Sequence, residues 1–345
     1  MTRTSLEEGS NLMKNITSPM IERTAALLLL AVLGAAPVQA ADPVPVALVL
    51  NVYNGDRAGP ETDSDANAMA QGGLEAVVAA HGGRVVAVQQ PDLVEADRGA
   101  YGRWNRFGLV SGHFAEQIVA NERAGLLSVG LYNNCSSALG MLGGLRHAPV
   151  DGPQRVGMVW IDAHGDYNVP ETTLSGMLGG MPAAIATGGA LHRLRQQAGL
   201  DEPLAHEELL MVAVRDTDPL EQERIEADGI ARIGTEDVRT LSADFDAAFA
   251  ALAHRVDVVY VHVDLDVLDP AEVPGHPLKV PDGPTSVELG RAIERMFAHE
   301  KTVALGIASY PHEADPDGVT REAVHRLVAG ALRGIEARPS VPAPH

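Results

Sequence analysis

The feature that most constrains this chain is a strand-length apolar run that keeps returning. It occurs as "VPVALVLNVY" from Val44, "GRVVAVQQ" from Gly83, "GLLSVGLYNN" from Gly125 and "RVGMVWIDA" from Arg155. It occurs again as "ELLMVAVRD" from Glu208, "GIARIG" from Gly229, "DVVYVHVDLDVLD" from Asp257 and "TVALGIASY" from Thr302. Segments such as "NAMAQGGLEAVVAAHG" and "SVELGRAIERMFAHE" lie between them, with apolar residues near helical spacing. Strands apolar on both faces belong in a parallel sheet covered by helices on each side. Strand–helix alternation with right-handed crossovers gives a three-layer α/β/α sandwich with a mostly parallel central sheet. Ligands bind such sheets at the carboxyl ends of the strands, and the unusual polar residues of this chain fall there.

A length of 345 residues suits one large α/β domain, taken as residues 41–336, followed by a Pro-rich tail at 337–345. Residues 1–40 read as an export leader. "MIERTAALLLLAVLGAAPVQA" has a charged start, an apolar run and small residues before "ADP", the pattern of a signal peptide cleaved after Ala40. "MKN" at Met13 offers an alternative start with a more basic beginning. Cleavage leaves a periplasmic or secreted protein with no membrane attachment; an uncleaved anchor is the alternative, although the run is short for a bilayer. The balance of 26 basic against 46 acidic residues gives a net charge of −20. That charge disfavours nucleic acid and anionic membranes as partners. The single cysteine, Cys135, cannot form an internal disulfide, and by itself reads as a small buried hydrophobe.

Two strand ends carry acid. "WIDAHGDYN" places Asp162, His164 and Asp166 at alternate positions, on one side of an extended segment. "VHVDLDVLDP" places Asp264 and Asp266 in the same way. A lone D-x-D often only decorates a strand end; D-x-H-x-D ahead of a Gly/Asn loop is more specific. Unpaired carboxylates buried together cost several kcal/mol or shift their pKa strongly. A pair of divalent cations removes that cost, and carboxylates with an imidazole suit Mn²⁺, Mg²⁺ or Zn²⁺. Two metals about 3.5–4 Å apart share a water and lower its pKa. No cluster of Arg or Lys and no phosphate-cradling loop lies nearby, so hydrolysis of a C–N bond fits better than phosphate chemistry.

"DAHGDYNVPETTLSG" and "HVDLDVLDP" resemble motifs of the ureohydrolase (arginase/agmatinase) superfamily. The resemblance runs over roughly residues 44–330 and implies an α/β/α hydrolase with two Mn²⁺. It implies that Asp162, His164, Asp166, Asp264 and Asp266 hold the metals, with Asp162 and Asp264 bridging them. Asp166 would also hydrogen-bond the metal-held hydroxide that attacks the guanidino carbon. The superfamily's remaining ligand segment is G-G-D-H-S; here the matching stretch is "YNNCS", so Cys135 stands where the family has a histidine. A thiolate is softer than imidazole and suits Mn²⁺ poorly. One metal is then expected to be weak or exchangeable, or Zn²⁺ to compete there.

The same resemblance implies that Asn168, Thr173 and Ser175 contact a substrate α-carboxylate. "VRDTDPLE" matches R-D-x-D-P-x-E, which implies Asp218 near the α-amino group and Glu221 as the segment's last acid. This favours an amino-acid substrate over a decarboxylated one. Two departures stand out. Gly179 in "MLGGMP" occupies the position of the family's proton-shuttling histidine, and the carboxylate that pairs with the guanidinium is met only by Glu313 in "HEADP", after a short insertion. His312 beside it is a candidate for the missing imidazole. "NNCS", "DAHGDYNVPETT" and "LGGM" are most similar to the branch of Nω-hydroxy-L-arginine amidinohydrolases that serves D-cycloserine biosynthesis. The resemblance implies release of ornithine and hydroxyurea from Nω-hydroxy-L-arginine, or of urea from arginine. An ordinary arginase, a hydrolase of another guanidino acid, and an exported non-catalytic metal or amino-acid binder are the alternatives. Homo-oligomers occur in the family.

Overall fold

All eight apolar runs form strands: β1 Val44–Asn51, β2 Gly83–Gln89, β3 Leu127–Tyr132, β4 Val156–Ile161, β5 Leu209–Val212, β6 Ala231–Ile233, β7 Val258–Asp264 and β8 Thr302–Ala308. The structure is a computed structural model and describes residues 42–53 and 64–339. The expected leader and the end of the Pro-rich tail lie outside the described residues. The helices are α1 Asp65–Gln71, α2 Leu74–Ala80, α3 Arg103–Arg123, α4 Ala138–His147, α5 Pro182–Ala186 and α6 His192–Gln197. They continue with α7 Pro219–Ala227, α8 Thr235–Thr240, α9 Ala243–Arg255, α10 Ser286–Phe297 and α11 Val319–Glu336. The helical pattern over 67–82 is two helices, parted at Gly72 and Gly73. Among the described residues no helix is long and apolar enough to cross a membrane.

The strands pair in the order β2-β1-β3-β8-β7-β4-β5-β6. Every pairing is parallel, so the sheet is wholly rather than mostly parallel. The helices cover it on both faces in a three-layer α/β/α sandwich, and the central strands β3, β4, β7 and β8 are buried almost throughout. Local chemistry fixes the element ends. Glu288 N–H donates to Thr285 Oγ1 at 3.2 Å and Thr285 N–H donates to Glu288 Oε2 at 2.8 Å, a reciprocal cap that starts α10.

An aromatic layer underlies the carboxyl ends of the central strands. The Trp160 and His262 rings stack at 4.1 Å, His262 Nδ1 meets Tyr260 Oη at 3.0 Å, and Tyr260 Oη donates to Tyr132 Oη at 3.3 Å. Phe114 of α3 closes edge-on against Tyr132. Gly306 makes room for this layer: a Cβ there would lie 2.2 Å from Tyr260 Oη. The packing is dense enough that enlarging Gly306 would push two buried rings apart.

Candidate metal centre

Four adjacent strand ends build the site. β3 runs through Asn133 and Asn134 into a short turn, Cys135–Ser137, started by Ser136 N–H donating to Asn134 Oδ1 at 3.0 Å. β4 delivers Asp162, His164 and Asp166. β7 ends at Asp264, with Asp266 on the turn that follows. β8, between β3 and β7, ends beside Ser309.

The side chains converge. Cys135 Sγ donates to Asp264 Oδ2 at 2.6 Å, and Ser309 Oγ donates to the same oxygen at 2.7 Å. His164 Nδ1 lies 2.9 Å from Asp266 Oδ2 and 3.5 Å from Asp162 Oδ1. Backbone donors fix the carboxylates: His164 N–H to Asp162 Oδ1 at 2.7 Å, Ala163 N–H to Asp266 Oδ1 at 3.2 Å, Asp266 N–H to Asp264 Oδ1 at 3.0 Å. Ligand atoms of Cys135, Asp162 and Asp264 lie within 4.8 Å of one another, as do those of Asp162, His164 and Asp266. The two triads share Asp162.

The electrostatics describe more buried carboxylates than the one nearby imidazole can balance. Burial, then the neighbouring Asp266, Asp166 and Asp264, holds Asp162 well above the usual carboxylate range. Burial and Asp264 do the same to Asp166, and burial and Asp266 raise Asp264. Asp266 alone is lowered: burial opposes its charge, but the His164 hydrogen bond and charge prevail. Burial opposes a charged His164 as well, yet its bonds to Asp162 and Asp266 push it up to about 12. Burial and Asp264 push the Cys135 thiol up. Asp162 Oδ2 is buried and has no hydrogen-bond partner among the described residues. A buried oxygen without a partner, amid raised carboxylates, is what a cation would relieve. An oxygen-rich donor set with one imidazole and one thiol fits a pair of divalent cations.

Asp166 sits in the left-handed region at φ 45, a strained conformation typical of functional sites. Its carbonyl accepts Ala183 N–H at 3.0 Å, which ties it to the start of α5. The site opens into a cavity of about 480 Å³. Asp218 and Asn168 meet on its wall, where Asn168 Nδ2 donates to Asp218 Oδ2 at 3.2 Å. Ser175 lines it too. Thr173 does not line it; it stands behind, with its Oγ1 3.4 Å from Ser175 Oγ and accepting Gly176 N–H at 3.0 Å. Glu221 is buried at the wall, and both its oxygens are taken by backbone: Tyr167 N–H at 2.7 Å and Asp218 N–H at 3.0 Å. It is a strut joining the Asp166 loop to the start of α7.

Two further sequence expectations, on Glu313 and His312, change. Glu313 is exposed on a turn beyond β8 and does not line the cavity; Ser309 takes the place at the strand end, and the insertion carries the acid to the surface. His312 is drawn aside by Asp65, with Nδ1 2.6 Å from Asp65 Oδ1, and it too stays out of the cavity lining. Gly179 does line the cavity, but a Cβ there would lie 2.8 Å from Asn134 Nδ2. Several lining residues escaped sequence reasoning, among them Asp65 at the start of α1, Asp216 before α7, Ser309 after β8 and His276 in the loop after β7. His276 is buried and shares a cluster with Asp264 and Asp266. A histidine in that loop was the one available signal.

Comparison with known proteins agrees with this geometry. The model of the arginase family matches residues 133–333. The chain is 33% identical to the arginase of Bacillus caldovelox over 184 residues, covering 52% of this chain and 59% of that protein. The match therefore spans about three fifths of that relative's length. It is 32% identical to the N(omega)-hydroxy-L-arginine amidinohydrolase of Streptomyces lavendulae over 218 residues, covering 62% of this chain and 72% of that protein. The native structure of the Bacillus caldovelox arginase matches with a TM-score of 0.71 at 25% identity, over 84% of this chain and 98% of that one.

Proposed function

Because this chain belongs to the arginase family, we propose that it hydrolyses a C–N bond of a guanidino amino acid, most readily Nω-hydroxy-L-arginine, with two Mn²⁺. The observation that carries the reading is the pair of ligand triads sharing Asp162, whose Oδ2 is buried without a partner among the described residues, next to an acidic cavity lined by Asp166, Asp264 and Asp266. Cys135, Asp162, His164, Asp166, Asp264 and Asp266 are the proposed ligands. Bound divalent cations supply a strong nucleophile from water at neutral pH.

The chain's own groups do the rest. Asn168, Ser175 and Asp218 bind the amino-acid end, with Thr173 and Glu221 holding them in position. That fixes how deeply the guanidino carbon enters the cavity. Asp166 takes the proton lost by the attacking water and returns it to the departing δ-nitrogen of the substrate. Water adds across the C–N bond, and ornithine leaves with hydroxyurea, or with urea from arginine.

Preference for the hydroxylated substrate draws support from three positions. Gly179 provides no imidazole, and Asn134 occupies the space beside it. Ser309 ends β8 where a carboxylate would pair with a guanidinium, and Glu313 is exposed away from the cavity. N-hydroxylation lowers guanidine basicity, so a neutral substrate needs neither a carboxylate partner nor an imidazole shuttle. The Streptomyces lavendulae relative carries that activity in its name. The acidic lining, Asp65 and Asp216 included, suits a full guanidinium and supports ordinary arginase activity as the second reading. The leader at residues 1–40 supports a periplasmic or secreted location.

The test is ornithine release by protein beginning at Ala41, loaded with Mn²⁺ and given L-arginine and Nω-hydroxy-L-arginine side by side, with Asp266→Ala as control. Faster turnover of the hydroxylated substrate is expected. Faster turnover of arginine establishes the second reading. No ornithine above the control from either substrate refutes the hydrolase.

A further inference from the structure

His276 is buried in the cavity wall, 6% exposed, with a ring nitrogen within 4.8 Å of ligand oxygens of both Asp264 and Asp266. It therefore stands at the reacting end of the cavity and not at the amino-acid end near Asp218. The loop carrying it is held firmly. Arg215 donates to the carbonyls of Val267 at 3.1 Å, Val280 at 2.9 Å and Pro281 at 2.7 Å. Beside the ring, a Cβ on Gly275 would lie 2.4 Å from the Cβ of Ala314, so the loop backbone presses onto the turn after β8.

The ring's orientation is fixed by one contact. Leu278 N–H donates to His276 Nδ1 at 3.2 Å. A neutral imidazole that accepts at Nδ1 carries its proton on Nε2. The two carboxylates are already engaged: Asp264 Oδ2 by Cys135 and Ser309 and its Oδ1 by Asp266 N–H, Asp266 Oδ2 by His164 and its Oδ1 by Ala163 N–H. His276 thus brings an N–H donor toward the place where a guanidino group would react. A guanidinium offers only donors of its own, and a buried donor set against donors loses its hydrogen bond at a cost. An Nω-hydroxyguanidine adds an oxygen that can accept.

We propose that His276 Nε2–H donates to the hydroxyl oxygen of an Nω-hydroxyguanidine and thereby selects this substrate over arginine. The inference rests on the guanidino-hydrolase reading for the class of ligand, and it names the residue that discriminates within that class. A site built to hydrogen-bond a substrate hydroxyl rejects the analogue lacking it more strongly than an apolar pocket does.

The test is calorimetric binding of L-arginine and Nω-hydroxy-L-arginine to the Mn²⁺-loaded protein and to His276→Leu, with metal content measured on both. Wild type should bind the hydroxylated ligand about tenfold more tightly or better, the ratio expected of one net hydrogen bond. In His276→Leu the ratio should fall to near one by weakening of hydroxyarginine alone, with arginine held as before. Loss of both ligands in equal measure would mean a merely structural role and overturns the proposal. So does a wild-type ratio near one, a ratio unchanged in the variant, or loss of a bound ion, which would make His276 a metal ligand. His276→Phe keeps a ring without the donor and carries the same comparison should the Leu variant not fold. Selective binding without ornithine release would uphold the donor and refute the hydrolase reading instead.

Discussion

Replacing Asp162 by Asn should stabilise the metal-free protein and remove its stabilisation by metal. Asp162 is 1% exposed. Its Oδ1 accepts His164 N–H at 2.7 Å, an interaction that an amide oxygen preserves. Its Oδ2 has no partner among the described residues and lies among Asp266, Asp166 and Asp264; an amide NH₂ there would meet acceptors. Leaving such a group unsatisfied costs roughly 1–3 kcal/mol, and a domain of this size gains about 2 °C in Tm per kcal/mol. A rise of roughly 2–6 °C is therefore expected for metal-free Asp162→Asn at about pH 8. The sign of the pH dependence follows. The folded-state pKa of Asp162 lies above its unfolded value, so the penalty is complete above the folded value and absent below the unfolded one. The advantage of Asn should fade as pH falls toward about 4. Metal reverses the ranking. Mn²⁺ at about 1,000 times its Kd adds about 4 kcal/mol per site to wild type, and Asn, lacking the charge, should lose most of that gain. Scanning calorimetry with chelator and with Mn²⁺, at both pH values, makes the comparison. A metal-free variant less stable than wild type at pH 8, or one keeping the full Mn²⁺ shift, would refute the reasoning.

Two further outcomes are expected. Cys135→Ser should lower bound Mn²⁺ per chain, while Cys135→His should raise Mn²⁺ affinity about tenfold or more, both read by equilibrium dialysis; unchanged metal in both would make Cys135 a packed hydrophobe. Glu122 has a buried oxygen without a partner among the described residues, and burial pushes its pKa from 4.5 to about 7. Its penalty grows between those values and is complete above them, so Glu122→Gln should raise Tm above about pH 8 and leave it unchanged near pH 4. An equal shift at both pH values would exclude the ionisation as the cause.

The sheet was legible because its central strands are buried on both faces, so apolarity alone marked them; the edge strands β2 and β6 are partly exposed and were marked by their β-branched residues. The strand-end ligands were legible from their one-residue spacing, but alternation along a strand does not place them: β4 ends at Ile161, Asp166 lies in the left-handed region and Asp266 sits on the turn after β7. Cys135 and Gly179 stood out as departures from a pattern, and both line the cavity. What failed depended on loops. Glu313 matched by motif, but an insertion after β8 leaves it exposed, with Ser309 at the strand end instead. His312 had a suitable side chain and the wrong neighbour, Asp65, which comes from 247 residues earlier. His276 had no periodicity to mark it; only Arg215 gathering distant carbonyls, and Gly275 closing on Ala314, bring it to the site. α11 follows the last strand, where strand–helix alternation no longer calls for a helix.

The place of β8 in the sheet sets the order in which the molecule can be completed. Among the described residues it is the last strand in sequence and yet lies in the middle, between β3 and β7. As the polypeptide emerges N-terminus first, β2-β1-β3 and β7-β4-β5-β6 can each assemble as half-sheets, but their shared border is missing until residues 302–308 arrive. Cys135 belongs to one half, and Asp162, His164, Asp264 and Asp266 to the other. A polypeptide stalled before residue 302 therefore holds the donors in two separate pieces with a strand-wide gap between them. Pairing across so much sequence is slow, and metal capture has to wait for it.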